Sequence, residues 1–175
     1  MVRVILHLSL GVGLFFFQIL VLPLNQNRLD LLSLLVFYEG SRPFVYTAIF
    51  LAFLLGLVVD CYSYAPLGLQ SGLYLVVVSL ARVLRRQLNL QYIVPQILAV
   101  GLTLGVQGLL QSGILDLLYP AGVFDVKIVQ FHLERAGATA LLAPPGFLVL
   151  DWLDKTAGRY FLHYKSALSG TEKLD

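Results

Sequence analysis

Charge is what this chain most lacks. Asp, Glu, Lys and Arg make up 13% of its 175 residues, where a soluble domain carries about 25%. That leaves too little polar surface to cover a water-exposed globule. A net charge of +2, with no basic stripe interleaved with aromatics, excludes a nucleic-acid partner. Cys61 is the single cysteine, which rules out a disulfide framework and a thiolate metal cluster. His7, His132 and His163 lie in separate regions, none at metal-ligand spacing from a second His, Cys or carboxylate. Paired membrane carboxylates, a Gly-rich phosphate loop and a nucleophile elbow are all missing. The chain reads as a non-enzyme, with no catalytic residue, cofactor or metal expected.

What is abundant is apolar sequence: 58% of residues are hydrophobic and the mean hydropathy is +0.83. These residues come in blocks, and crossing a bilayer takes roughly 20 residues of helix. The first block, Val4–Leu22, follows Arg3 in the manner of a signal peptide. It is too long for a signal h-region and no small-x-small cleavage site follows, so it is expected to stay as a first span. Leu29–Tyr38 is apolar for ten residues, about 15 Å of helix, and either borrows its flanks to span or dips in and returns. A third segment runs from Pro43 or Phe44 to Val59, a fourth from Pro66, suited to a first helical turn, to Leu84. The fifth, Ile93–Leu118, is the longest. Phe124–Arg135 fits a short strand or an interfacial helix. The sixth runs from Ala136 to Leu150, where Pro144-Pro145-Gly146 must break or kink it. The fold class expected is an all-α membrane protein with five to six transmembrane helices. Residues 1–150 form one transmembrane domain and 151–175 a cytoplasmic tail. In that tail Leu153, Ala157, Tyr160, Phe161 and Tyr164 share the apolar face of an interfacial helix, with Trp152 at the boundary.

Lys and Arg placement predicts orientation. With six spans, Arg3, Arg42, Arg82, Arg85, Arg86, Lys155, Arg159, Lys165 and Lys173 share one side, against Arg28, Lys127 and Arg135. The majority side, with the C-terminus, is expected in the cytoplasm. If the second segment does not span, Arg3 and Arg28 exchange sides and the majority is unchanged.

Polar groups in lipid are the first candidates for function. Asp60 closes the third segment. It either hydrogen-bonds backbone N–H groups of the turn leading to Pro66 or serves as a ligand or proton site. Asp30 opens the second segment as an N-cap. Gln96, Thr103, Gln107 and Gln111 fall near one face of the fifth, suited to interhelical hydrogen bonds or a cavity lining. Small residues recur four apart at Ser9 and Gly13, at Ala48, Ala52 and Gly56, at Gly68 and Gly72, and at Gly101 and Gly105, a spacing that lets helices approach closely.

The stretch Gly56-Leu57-Val58-Val59-Asp60-Cys61-Tyr62-Ser63-Tyr64-Ala65-Pro66-Leu67-Gly68 resembles the signature of the bacterial rod shape-determining MreD family. There an apolar helix ends in Gly-x-x-x-Asp, and a short turn with Ser leads to Pro-Leu-Gly opening the next helix. Arg28-Leu29-Asp30 with Arg42-Pro43 is similar to that family's short second segment, and Ala81-Arg82 with Arg85-Arg86 to its basic cytoplasmic loop. Pro144-Pro145 and the run to Asp151 are similar to its last span. Leu29 stands where Pro is usual, and Tyr64 where Gly is common.

The resemblance, over roughly residues 28–155, implies a fold like that of the S-components of energy-coupling-factor transporters. It also implies a non-enzymatic subunit of the cell-elongation complex in the bacterial cytoplasmic (inner) membrane, among membrane lipids. Its partners would be the membrane helix of MreC and, in the larger assembly, RodA, its penicillin-binding transpeptidase and the MreB filament. Ala48, Ala52 and Gly56 are then the leading face for MreC. Asp60, Pro66, Leu67 and Gly68 form a structural turn, and Arg82, Arg85 and Arg86 a basic cytoplasmic loop that meets anionic lipid or an acidic surface. The alternative is a substrate-binding uptake subunit like the S-components themselves. The short outer connections, and Ser9-Leu10-Gly11-Val12-Gly13 in place of an Ala-rich docking motif, favour the scaffold.

Overall fold

The computed structural model describes residues 2–21, 29–63, 66–89, 92–118 and 126–156. Among these the secondary structure is helical, without strands: α1 (Val2–Val21), α2 (Leu31–Gly40), α3 (Val45–Tyr62), α4 (Leu69–Gln87), α5 (Ile93–Leu118), α6 (Val126–Leu141) and α7 (Ala143–Thr156).

The short helix α2 lies at the centre. Its sequence is apolar all round, and a helix of that kind must be enclosed; every residue from Leu32 to Gly40 is buried. Phe37 stacks on Phe147 of α7, ring centroids 6.0 Å apart. Gly40 lies against α4, where a Cβ would come within 2.9 Å of Val78 Cα. The backbone groups at the ends of a buried helix need partners, and both ends of α2 have them. At the N-terminus the Asp30 carboxylate accepts the Ser33 N–H at 3.0 Å, and the Asp30 N–H donates to Thr139 Oγ1 at 2.9 Å. At the C-terminal side the Ser41 and Arg42 carbonyls accept from Arg85 and Arg82.

Two helices, α3 and α5, are long and apolar enough to cross a membrane. The pair α6 and α7, bent by 50° at its break, makes a third if it counts as one span. Leu6–Leu20 of α1 and Leu31–Gly40 are shorter apolar stretches. The fourth expected span starts at Leu69 rather than Pro66 and is amphipathic, carrying Gln70, Ser71, Arg82, Arg85 and Arg86.

The region after residue 125 corrects the sequence reading. Of strand and helix, both open for Phe124–Arg135, helix is found from Val126 onward, and the correction is to the boundary expected between Arg135 and Ala136, through which α6 runs. Its inward residues recur at helical spacing: His132 and Ala140 lie against Gly108 and Gly101 of α5, and Arg135 and Thr139 reach Asp30. The break falls at Leu142 instead. Pro144 and Pro145 sit in the first turn of α7, where their missing N–H groups have no intrahelical partner to lose. The Gly146 N–H then makes the first bond, to the Leu142 carbonyl at 3.0 Å. Helix α7 also runs across the domain limit at residue 150, and Leu153 packs on the core. The rest of the expected tail helix, from Ala157, lies outside the described residues.

The face with Ala48, Ala52 and Gly56 is corrected as well. Ala48 and Ala52 are fully buried, and a Cβ on Gly56 would sit 2.3 Å from Ser71 Cα. This face closes the α3–α4 contact within the chain and is not open to a partner helix. Gly56→Ala is therefore expected to push α4 outward and lower stability by about 2 kcal/mol, the usual scale of overpacking. Thermal unfolding in detergent measures this, and an unchanged midpoint would refute the close contact.

Candidate functional site

The turn between α3 and α4 is built around one carboxylate. Asp60 is 2% exposed, and it accepts the N–H groups of Gly68 (3.0 Å), Gln70 (2.9 Å) and Ser71 (3.2 Å) and the Ser71 hydroxyl (2.9 Å). Helix α4 opens on Gly68, which has φ +93° and no side chain to cap the orphan donors. Asp60 supplies that cap from the preceding helix and places a negative charge at the positive end of α4. Two oxygens meeting four donors have little acceptor capacity left, so the group is committed to capping. The donors all lie beyond Pro66, whose carbonyl accepts the Leu69 N–H at 3.2 Å. Gly68 serves by its left-handed backbone and not by close packing, since a Cβ there meets nothing within 4 Å. Leu67 is 77% exposed.

At the opposite end of α4 the three arginines sit on the helix's last turns, not in a loop. Arg82 and Arg85 tie α4 to the segment after α2, as described above. That segment carries Arg42, the hub of a polar cluster. The Arg42 guanidinium donates to the Tyr38 hydroxyl and to Asp151, lies 3.4 Å from Asp154 Oδ2, and stands 4.6 Å over the Tyr38 ring. Tyr38 Oη donates to Asp151 Oδ1 at 2.6 Å. Behind it, His7 Nε2 lies 3.5 Å from Glu39 Oε1 and 3.4 Å from Asp154 Oδ1, with His7 and Glu39 both buried. Burial alone would lower the Arg42 pKa. The Tyr38 hydroxyl and the carboxylates of Asp151 and Asp154 outweigh it and raise the pKa above its ordinary value, so the guanidinium stays charged.

This cluster joins α1, α2, the α2–α3 connection and α7, and sequence reasoning missed it. His7 read as isolated, and Glu39, Asp151 and Asp154 carried no assigned role. One signal was available: Asp151 and Asp154, three apart, fall on one face of a helix.

The remaining polar residues divide between the two ends. Gln96 lines an open cavity of about 690 Å³ with Tyr38, Arg42, Arg85, Arg86 and Asp151. Gln107 and Gln111 instead face Asp30, His132 and Arg135, where Arg135 Nη2 donates to Asp30 Oδ2 at 2.9 Å. Thr103 bonds back to the Ala99 carbonyl of its own helix at 2.7 Å. The polar face of α5 is thus not one continuous lining. A further cavity of about 300 Å³, a groove between α1, α2 and α7, is walled by apolar residues that include Leu10, Leu14, Leu34, Pro145, Val149 and Leu153. Among the described residues no group of His, Cys, Asp or Glu is arranged to hold a metal ion.

No family model, curated protein or solved structure matches this chain.

Its sites are therefore read from their own chemistry. The Asp60 turn and the Asp30–Arg135 pair hold the fold together, the Arg42 cluster locks three helices at one end, and the groove and the larger cavity are open surfaces among the described residues.

Proposed function

We propose that the chain is a non-enzymatic, multi-pass subunit of the bacterial cytoplasmic membrane that works by docking partner helices. Following its resemblance to the MreD family, it serves in the cell-elongation complex, binding MreC and, within the larger assembly, meeting RodA, its penicillin-binding transpeptidase and MreB. The observation that carries this reading is the groove between α1, α2 and α7. Carbon-lined walls offer nothing to a reacting group and suit a membrane helix, which associates by packing. With the small-residue face of α3 already covered by α4, the groove takes over as the surface for the MreC helix.

Topology supports the same reading. Phe15 of α1 meets Tyr62 at the end of α3, centroids 5.2 Å apart, while His7 lies by Asp154, so α1 starts at the Arg42 end. Helices α2 to α6 reverse direction in turn and α7 continues α6 across its 50° bend, an arrangement that supports reading six passes with α2 as the enclosed one. Arg42, Arg82, Arg85, Arg86 and Lys155 gather at one end, against Lys127 and Arg135 at the other, which favours a cytoplasmic Arg42 end and C-terminus. The same placement weighs against the uptake-subunit alternative. Such a subunit needs its polar pocket on the outer side, and the large polar cavity here is at the arginine end.

Leu142→Trp with Val149→Trp tests the proposal. Leu142 and Val149 line the groove and are 38% and 57% exposed, so the bulk enters it without disturbing the core. The variant should fold, lose co-purification with MreC by about tenfold, ~1.4 kcal/mol, and leave cells round. Full retention of MreC with rod-shaped cells would reject the groove as the docking surface.

A further inference from the structure

The arginine end carries a second open site whose chemistry differs from that of the groove. The cavity of about 690 Å³ opens between the end of α2, the α4–α5 connection and α7, within the roughly 300–1,000 Å³ range of small-ligand sites. Arg42, Arg85 and Arg86 line it against Asp151 alone, three positive groups and one negative, a net of +2. Their commitments differ. Arg42 is held by Asp151 and Tyr38, and Arg85 donates to the Ser41 carbonyl. Arg86 is exposed and makes no hydrogen bond or ion pair with a described residue. Arg42 is shared between Asp151 and Asp154, so the positive field in the mouth comes from Arg85 and Arg86.

Exposed aromatics near the mouth suit a position at the headgroup layer. Tyr92 and Trp152, close in sequence to the lining residues Asn89 and Asp151, are 66% and 61% exposed, and such aromatics favour the membrane–water interface. Beyond them the outer faces of α5 and α7 are apolar, with Leu98 63% and Leu148 72% exposed. A molecule with its phosphate in the cavity can lay acyl chains along those faces.

We infer that the cavity binds a phosphate-bearing anionic headgroup, with the Arg86 guanidinium as its principal contact. A guanidinium meets phosphate oxygens through paired N–H donors, and Arg86 has its donors available. The inference does not depend on which protein occupies the groove.

The test uses the full-length protein in detergent, with retained lipid counted by native mass spectrometry. Phosphatidylglycerol should be retained over phosphatidylcholine, and Arg86→Gln should weaken that retention by about tenfold, ~1.4 kcal/mol, with an unchanged thermal midpoint. Lys155→Gln, at the same end but outside the cavity lining, should leave it intact. Glycerol 3-phosphate, added alone, separates the sources. If it binds wild-type protein as tightly as the lipid does and Arg86→Gln removes it, the site takes a soluble phosphate ester. If the lipid is strongly preferred, the site takes a membrane headgroup. Both results support the phosphate site. Equal losses in Arg86→Gln and Lys155→Gln would mean diffuse surface charge, and they would overturn the inference, as would failure of both probes to bind.

Discussion

Replacing Asp60 by leucine is expected to lower the unfolding free energy by about 3 kcal/mol, the scale set by burying unsatisfied donors together with losing a helix cap. Gly68 is exposed and its N–H can turn to water, but Ser71 is buried and its N–H and hydroxyl cannot. The α4 N-terminus also loses the negative charge facing its dipole. Asp60→Asn should cost less, about 1–2 kcal/mol, because one carbonyl oxygen still accepts while the amide group meets donors it cannot pair with. A double-mutant cycle sharpens the reading. Ser71→Ala removes one of the four donors, so its effect should shrink in the Asp60→Leu background. Thermal unfolding in detergent followed by circular dichroism measures each variant. If Asp60→Leu melts with the wild type, the carboxylate does not cap α4.

Arg42→Leu should cost about 2–3 kcal/mol. Removing one partner of a fully buried ion pair costs roughly 3–5 kcal/mol, and the value here is lower because Arg42 and Asp151 side chains are 31% and 44% exposed. The loss removes the cation shared by Asp151 and Asp154 and leaves both carboxylates converging on the Tyr38 hydroxyl, so repulsion between them drives α7 from α2. Asp151→Asn should therefore restore part of the stability lost in Arg42→Leu, although it destabilises the wild type. Arg42→Lys should recover little, since an ammonium cannot bridge two carboxylates in a fork while lying over the Tyr38 ring. Additive losses in Arg42→Leu with Asp151→Asn would show that the two side chains are not coupled.

Much of the fold was legible along the chain because its causes are local. An apolar block without charges reads as a helix needing an apolar surround, and this holds for α3 and α5. Asp30 three residues before Ser33 reads as a cap, and adjacent prolines read as a break. Where the reading failed, two local patterns competed. Phe124–Leu133 alternates in part and also fits helical spacing, so strand and helix both stayed open, and the boundary set at Ala136 cut a helix that continues through Thr139. Pro66 suits a first helical turn, but the left-handed Gly68 delays the helix to Leu69.

The sequence by itself determined that this is a helical chain rich in apolar surface, with a turn between Asp60 and Gly68, while the four donors that saturate Asp60 came from the structure. Only the tertiary structure decided which faces turn inward. A stripe of small residues is equally suited to a neighbour in the same chain or in another, and only the packing of Gly56 on Ser71 assigns it to the first. Likewise, His7, Glu39, Arg42 and Asp154 form one cluster because α1, α2 and α7 reach the same end of the bundle. Sequence separation carries no information about that, since the rotation of each helix about its axis is set by how all their side chains pack together.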